Sequence, residues 1–124
     1  MAYFDFEPED NFHSTWGPVV DVYESSSEII VRVELPGVQR PDVQLRWRDG
    51  LLTITGMKQR QEAATVNGRF LCVERQYGKF RRDVSIQIPV DFRKSSAELR
   101  NGLLKIRLPK IIENPGDAYI PIDE

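Results

Sequence analysis

From Pro18 onward, apolar and polar residues alternate in short runs. Val20 and Val22 alternate with Asp21 and Tyr23, and residues 28–35 form a β-branched run with Val31, Val33 and Leu35 on one face. Pro36-Gly37 ends that run, and Pro41-Asp42 marks a second bend. Val43, Leu45 and Trp47 then alternate with Gln44, Arg46 and Arg48. Asp49-Gly50 joins them to a return strand carrying Leu52 and Ile54 and closed by Gly56. Asp-Gly between two alternating runs is a strong hairpin signal, because both turn positions need positive φ. Residues 57–69 are polar and long for a connection; loops of about 12 residues or more usually carry a function or an element of their own. The pattern predicts strands over residues 70–77 and 80–88, the second with Phe80, Val84, Ile86 and Ile88 on one face. A tight turn at Asn101-Gly102 precedes a last strand through Leu104, Ile106 and Leu108. Residues 93–100 have the composition of a single helical turn. Elements of this number and spacing, with no long helix, predict an all-β, immunoglobulin-like β-sandwich over residues 18–110. Residues 1–17 form an arm and residues 111–124 a tail, neither with a sustained period. Two open sheets have edges that must be covered or used.

Composition narrows the chemistry. The chain has 124 residues, 40% of them apolar and 29% charged, which suits one globular core. It has one cysteine, Cys72, and one histidine, His13, so an internal disulfide and a within-chain Cys/His zinc site are both excluded. Any triad needing an imidazole would have to use His13, which sits among acids and aromatics and reads as an arm residue. Gly78-Lys79 has no glycine five residues before it and is followed by Phe80, so it is not a phosphate-cradling loop. No pair of carboxylates stands out. We therefore expect no enzyme activity, no cofactor and no metal. No apolar run approaches ~18 residues, and the amino terminus is acidic, which argues against a membrane span or a secretory signal. A reducing, cytoplasmic setting is expected, with Cys72 packed as a small hydrophobe.

Charge is uneven beneath a net of −2. Residues 1–34 carry net −7, residues 35–83 net +5 and residues 84–124 net 0. A basic middle with Trp47, Phe70, Tyr77 and Phe80 allows a nucleic-acid-binding β module as one reading. Against it, the bases fall on the solvent parity of strands, and the overall charge repels phosphate.

Six stretches, in order, resemble the small heat-shock protein family, which is built on the α-crystallin domain. They are Trp16-x-Pro18-x-x-Asp21-x-x-Glu24, then Val33-Glu34-Leu35-Pro36-Gly37, then Asp49-Gly50-x-Leu52-x-Ile54-x-Gly56. Glu74-Arg75-x-Tyr77-Gly78-x-Phe80-x-Arg82 is similar to the bacterial and plant pattern. Ala97-x-x-x-Asn101-Gly102-x-Leu104-x-Ile106-x-Leu108-Pro109 and the tail motif Ile120-Pro121-Ile122 complete the set. The resemblance implies an ATP-independent holdase that binds unfolding client proteins, forms homodimers and assembles into larger homo-oligomers, without nucleic acid or membrane. It implies dimerisation by strand exchange through the 57–70 loop, with Arg82, Arg75, Glu62, Val66 and Phe70 as interface residues. It implies that Ile120, Pro121 and Ile122 link dimers by docking between the strands at 43–48 and 80–88, on Val43, Leu45, Val84 and Ile86. The arm aromatics Tyr3, Phe4, Phe6 and Phe12 are the candidate client contacts, since an adaptable aromatic set suits many client shapes. A related class, the CS-type co-chaperone adaptor, shares the sandwich but is monomeric and lacks both the exchange loop and the tail motif.

Overall fold

The computed structural model describes residues 16–60, 67–111 and 120–123. Seven strands are formed: β1 (Val20–Glu24), β2 (Glu28–Glu34), β3 (Val43–Arg48), β4 (Leu51–Lys58), β5 (Gly78–Ser85), β6 (Ser96–Arg100) and β7 (Leu103–Pro109). They make two antiparallel sheets, one in the order β1-β2-β7-β6 and the other β3-β4-β5. The sheets face each other as the expected sandwich.

The period-2 pattern explains the core. In β4, Leu52, Ile54, Gly56 and Lys58 all point inward, while Leu51, Thr53, Thr55 and Met57 do not. In β7, Leu104, Ile106 and Leu108 point inward against Val31, Val33 and Ile29 of β2. Phe80 of β5 is fully buried and fills the space over Gly56, its partner in the ladder. Burying a side chain of this size stabilises the fold by about 1.5–3 kcal/mol. Two hairpins set the register. Asp49 and Gly50 both have positive φ, as do Asn101 and Gly102, so each pair forms the mirror-image turn that matches strand twist.

Four expectations are corrected. Residues 70–77 form no strand: Phe70, Leu71 and Val73 are exposed, and no neighbouring strand among the described residues offers them a ladder. Residues 96–100, expected as part of a helical turn, form β6, because the Asn101-Gly102 turn folds them back onto β7. The helical turn is confined to Phe92–Lys94, where the Asp91 carboxylate accepts from the Arg93 N–H at 3.2 Å. β5 ends at Ser85 rather than at Ile88; Ile86 N–H donates to the Gly50 carbonyl and leaves the ladder there. Cys72, expected to be packed, is exposed.

Gly56 is the tightest position in the sandwich. A methyl group built there would overlap the carbonyl oxygen of Asp42 and the ring of Phe80, neither a flexible chain end. Gly56→Ala should therefore lower the unfolding free energy by about 3 kcal/mol or more, read as a fall in the denaturant midpoint. An unchanged midpoint would mean that Asp42 and Phe80 can both move aside.

Candidate assembly and client surfaces

The surfaces the two sheets leave open lie at their edges. β3 ends one sheet and β6 ends the other, and between them the sandwich stays open. The opening is a cavity of about 430 Å³ lined by Leu45 and Trp47 of β3, Leu52 of β4, Ala97 of β6, Ile106 and Leu108 of β7, and Phe92 of the helical turn. On its β6 side the lining residues are the small Ser96 and Ala97. Leu45 and Phe92 are 37% and 50% exposed at its mouth, a degree of apolar exposure that a closed sandwich edge would not leave.

The groove expected between the strands at 43–48 and 80–88 does not exist, because β4 lies between β3 and β5 in the sheet. Val84 and Ile86 are buried in the core, and Val43 is half-buried against it. Of those four residues only Leu45 lines the open groove. Trp47, Phe92 and Ala97 were missed. The signal for them was present: an Asn-Gly turn before β7 requires a strand ahead of it, and that strand is an edge.

The tail isoleucines are available. Ile120 and Ile122 are 85% and 89% exposed on either side of Pro121. β1 is the other free edge, with Val22 and Tyr23 about half exposed and Val19 exposed just before it. The edge of β5 is partly covered: Trp16 N–H donates to Lys79 O at 3.2 Å, and Arg81 N–H donates to Trp16 O at 2.9 Å. The indole of Trp16 then tilts onto Phe80, with ring centroids 5.2 Å apart.

The expected dimer residues divide between two places. Arg82 reaches from β5 to the Pro18 carbonyl, donating from Nη1 at 3.3 Å, and so fixes the strap that leads into β1. Arg75 lies over the Tyr77 ring at 5.2 Å, and Arg60 lies over both Tyr77 at 5.6 Å and Phe70 at 5.0 Å. Lys58 joins this cluster at the inward end of β4, 5.8 Å from the Tyr77 ring and 6.0 Å from that of Trp16. Burial, and secondly the charge of Arg75, hold the Lys58 amine below its ordinary pKa. Glu62 and Val66, and the arm aromatics Tyr3, Phe4, Phe6 and Phe12, lie outside the described residues. Among the described residues, no group of His, Cys, Asp and Glu could hold a metal ion, and no helix is long and apolar enough to cross a membrane.

Comparison with known proteins matches this architecture. The Hsp20/alpha crystallin family model covers residues 21–123. Heat shock protein 16 of Schizosaccharomyces pombe is 38% identical over 107 residues, which span 85% of this chain and 74% of that protein. The 18 kDa heat shock protein of Clostridium acetobutylicum is 32% identical over 110 residues, 88% of this chain and 72% of its own length. Among solved structures, heat shock protein 16.0 from Schizosaccharomyces pombe superposes with a TM-score of 0.73 at 34% identity, covering 86% of this chain and 98% of that one. A seven-stranded sandwich with an open edge groove, an exposed Ile-Pro-Ile tail and a matching family model over five-sixths of the sequence leads to one conclusion: the chain belongs to the Hsp20/alpha-crystallin family of small heat-shock proteins, which are ATP-independent chaperones.

Proposed function

We propose that this small heat-shock protein holds unfolding proteins in solution as an assembly of dimers linked by tail-in-groove contacts. The observation that carries the reading is the pairing of an empty apolar groove between β3 and β6 with two almost fully exposed isoleucines. Pro121 fixes its own φ near −65° and pushes Ile120 towards the extended region. In an extended chain, residues two apart point the same way, so Ile120 and Ile122 form a two-pronged apolar knob. Burying both is worth roughly 3–6 kcal/mol gross. Ordering and docking the tail cost a comparable amount. Each contact is then weak alone, and several together hold an oligomer that can still open. Leu45, Trp47, Phe92 and Ala97 are the receiving residues.

The dimer forms through residues 59–70 of the expected 57–70 loop, since β4 runs past Gly56 to Lys58, and this segment would add a strand to the free β1 edge of a partner. Backbone hydrogen bonds along such an edge supply affinity. Arg82, Arg75, Glu62, Val66 and Phe70 support that contact, and Tyr3, Phe4, Phe6 and Phe12 meet clients. The partners are proteins alone, without nucleic acid or membrane, in the cytoplasm. The net charge of −2 argues against phosphate-rich partners, and a single exposed thiol suits a reducing compartment.

Light scattering of a heat-unfolding client should fall at an equimolar ratio with no nucleotide present. Replacing Tyr3, Phe4, Phe6 and Phe12 by Ser should weaken that protection; a requirement for ATP would sink the holdase reading.

Ile120→Gly with Ile122→Gly, and separately Ala97→Arg, should each reduce the assembly to dimers in size-exclusion chromatography with light scattering. The domain should unfold within about 0.5 kcal/mol of the parent, as for other surface changes. Parent-like elution of both variants would remove the tail as the link.

Replacing residues 59–67 by a tight turn should give folded monomers, and Arg82→Ala should weaken the dimer by about tenfold, near 1.4 kcal/mol. Dimers that survive the loop replacement would place the interface on another edge.

A further inference from the structure

A second cavity, of about 390 Å³, lies at the opposite end of the sandwich from the tail groove. Its walls are the strap Trp16-Gly17-Pro18-Val19, Lys58 at the end of β4, Glu34 and Pro36 after β2, and Arg75 with Gln76. Two cationic side chains line it, Lys58 and Arg75. Lys58 is only 8% exposed, and neither it nor Arg75 forms an ion pair or side-chain hydrogen bond among the described residues. The indole Nε1 of Trp16 is buried and has no hydrogen-bond partner. Glu34, the one acid among the described lining residues, is paired with neither cation. The Lys58 stem is buried while its ammonium reaches the cavity, where an anionic partner can meet it. Aromatic faces partly compensate the cations and leave room for an anion.

A ligand that meets both cations is an anion, and a carboxylate, with two acceptor oxygens, can meet the two at once. The sequence supplies four close by. Residues 1–15 contain Asp5, Glu7, Glu9 and Asp10 and no lysine or arginine. They join the domain at Trp16, which is itself a wall of the cavity. Five residues separate Asp10 from Trp16, a tether of six steps that spans at most ~20 Å, so the local carboxylate concentration at the cavity is high without any second molecule. Arg60, over Tyr77 and Phe70, extends the positive charge beside it.

We propose that the cavity bounded by Trp16, Lys58 and Arg75 is a carboxylate-binding site, occupied by an acidic side chain from residues 5–10 of the same chain. The contact is an intramolecular latch: it satisfies the desolvated lysine and holds the acidic, aromatic arm against the β5 edge. Raising ionic strength opens it, because the attraction is between unlike charges. The latch shares Arg75 with the proposed dimer contact but does not depend on the holdase reading, since its tests read arm position rather than client protection.

The test uses the full chain, with ¹⁵N-labelled and unlabelled protein mixed and allowed to exchange subunits, then coupled with a zero-length carbodiimide and digested for mass spectrometry. The expected product joins Lys58 to Asp5, Glu7, Glu9 or Asp10 with both peptides of one isotope. Mixed-isotope arm links would assign the site to a neighbour's arm and overturn the latch. Lys58 joined instead to Glu62 or Glu74, or to nothing, would overturn it as well. Chymotryptic cleavage after Phe4, Phe6 and Phe12 gives an independent reading. Lys58→Met should speed cleavage by about tenfold, the loss expected for one charge-assisted contact. Asp5→Asn with Glu7→Gln, Glu9→Gln and Asp10→Asn, which leaves the domain untouched, should do the same. Parent-like rates in this arm variant would show that the acids hold nothing.

Discussion

A four-stranded sheet on a three-stranded one leaves four edge strands, and the molecule is organised by what happens to each. β5 is partly covered by the chain's own residue Trp16, which pairs with it from outside. β1 keeps an unpaired side and exposes Val22 and Tyr23. β3 and β6 face each other across a gap that neither fills. An exposed backbone edge is a template for another chain, and an unfilled gap is a pocket for another side chain. For most proteins these are liabilities. For a protein that captures partly unfolded chains and assembles reversibly, the proposed function makes them the working surfaces.

Close packing at one position sets where those edges lie. Phe80 sits against the bare backbone of Gly56 and is capped by Trp16 on its outer side. Because Gly56 takes up no space, β4 and β5 can carry an aromatic ring into the core at that level. Because Phe80 fills it, the inward parity of β4 continues past the core to Lys58. A lysine on the core face would be ordinary if the sandwich ended in solvent there. It ends instead against Trp16, Tyr77 and Arg75, where the ammonium is desolvated and repelled at once. The cationic cavity is thus a consequence of how the aromatic plug is seated.

The sequence made the sandwich legible wherever local and tertiary preferences agreed. β2, β4 and β7 carry alternating branched side chains, and both Asp49-Gly50 and Asn101-Gly102 require the turns they form. β6 was not legible as a strand because Ser-Ala-Glu-Leu-Arg has no β-branched residue; its pairing with β7 overrides its local preference. Residues 70–77 failed in the opposite sense, since a β-like pattern without a partner edge makes no strand. The groove was misplaced because alternation tells which face a residue is on but not which strands are neighbours. Leu45 and Val84 both point to the interior side, yet β4 separates them. The Ile-Pro-Ile motif needed no tertiary information, because proline fixes its shape locally.

Two energy scales then separate assembly from folding. The core residues Ile29, Leu35, Ile54, Phe80 and Leu108 lie in one cooperative unit, each fully removed from water. Their contributions add within a single all-or-none transition. A tail in a groove has no such support: its gross apolar gain is offset by the cost of ordering it, so one contact barely holds. Strength arises only from the number of contacts made at once, and that number depends on how many chains are present. Assembly therefore responds to chain concentration and to competition for the groove, while the domain responds to denaturant and heat. Under the proposed tail-in-groove assembly, the chaperone exposes Leu45, Trp47 and Phe92 by losing neighbours without losing its own fold. Raising the affinity of each contact would merge the two scales, and an assembly that opened only when the sandwich melted could no longer protect anything else.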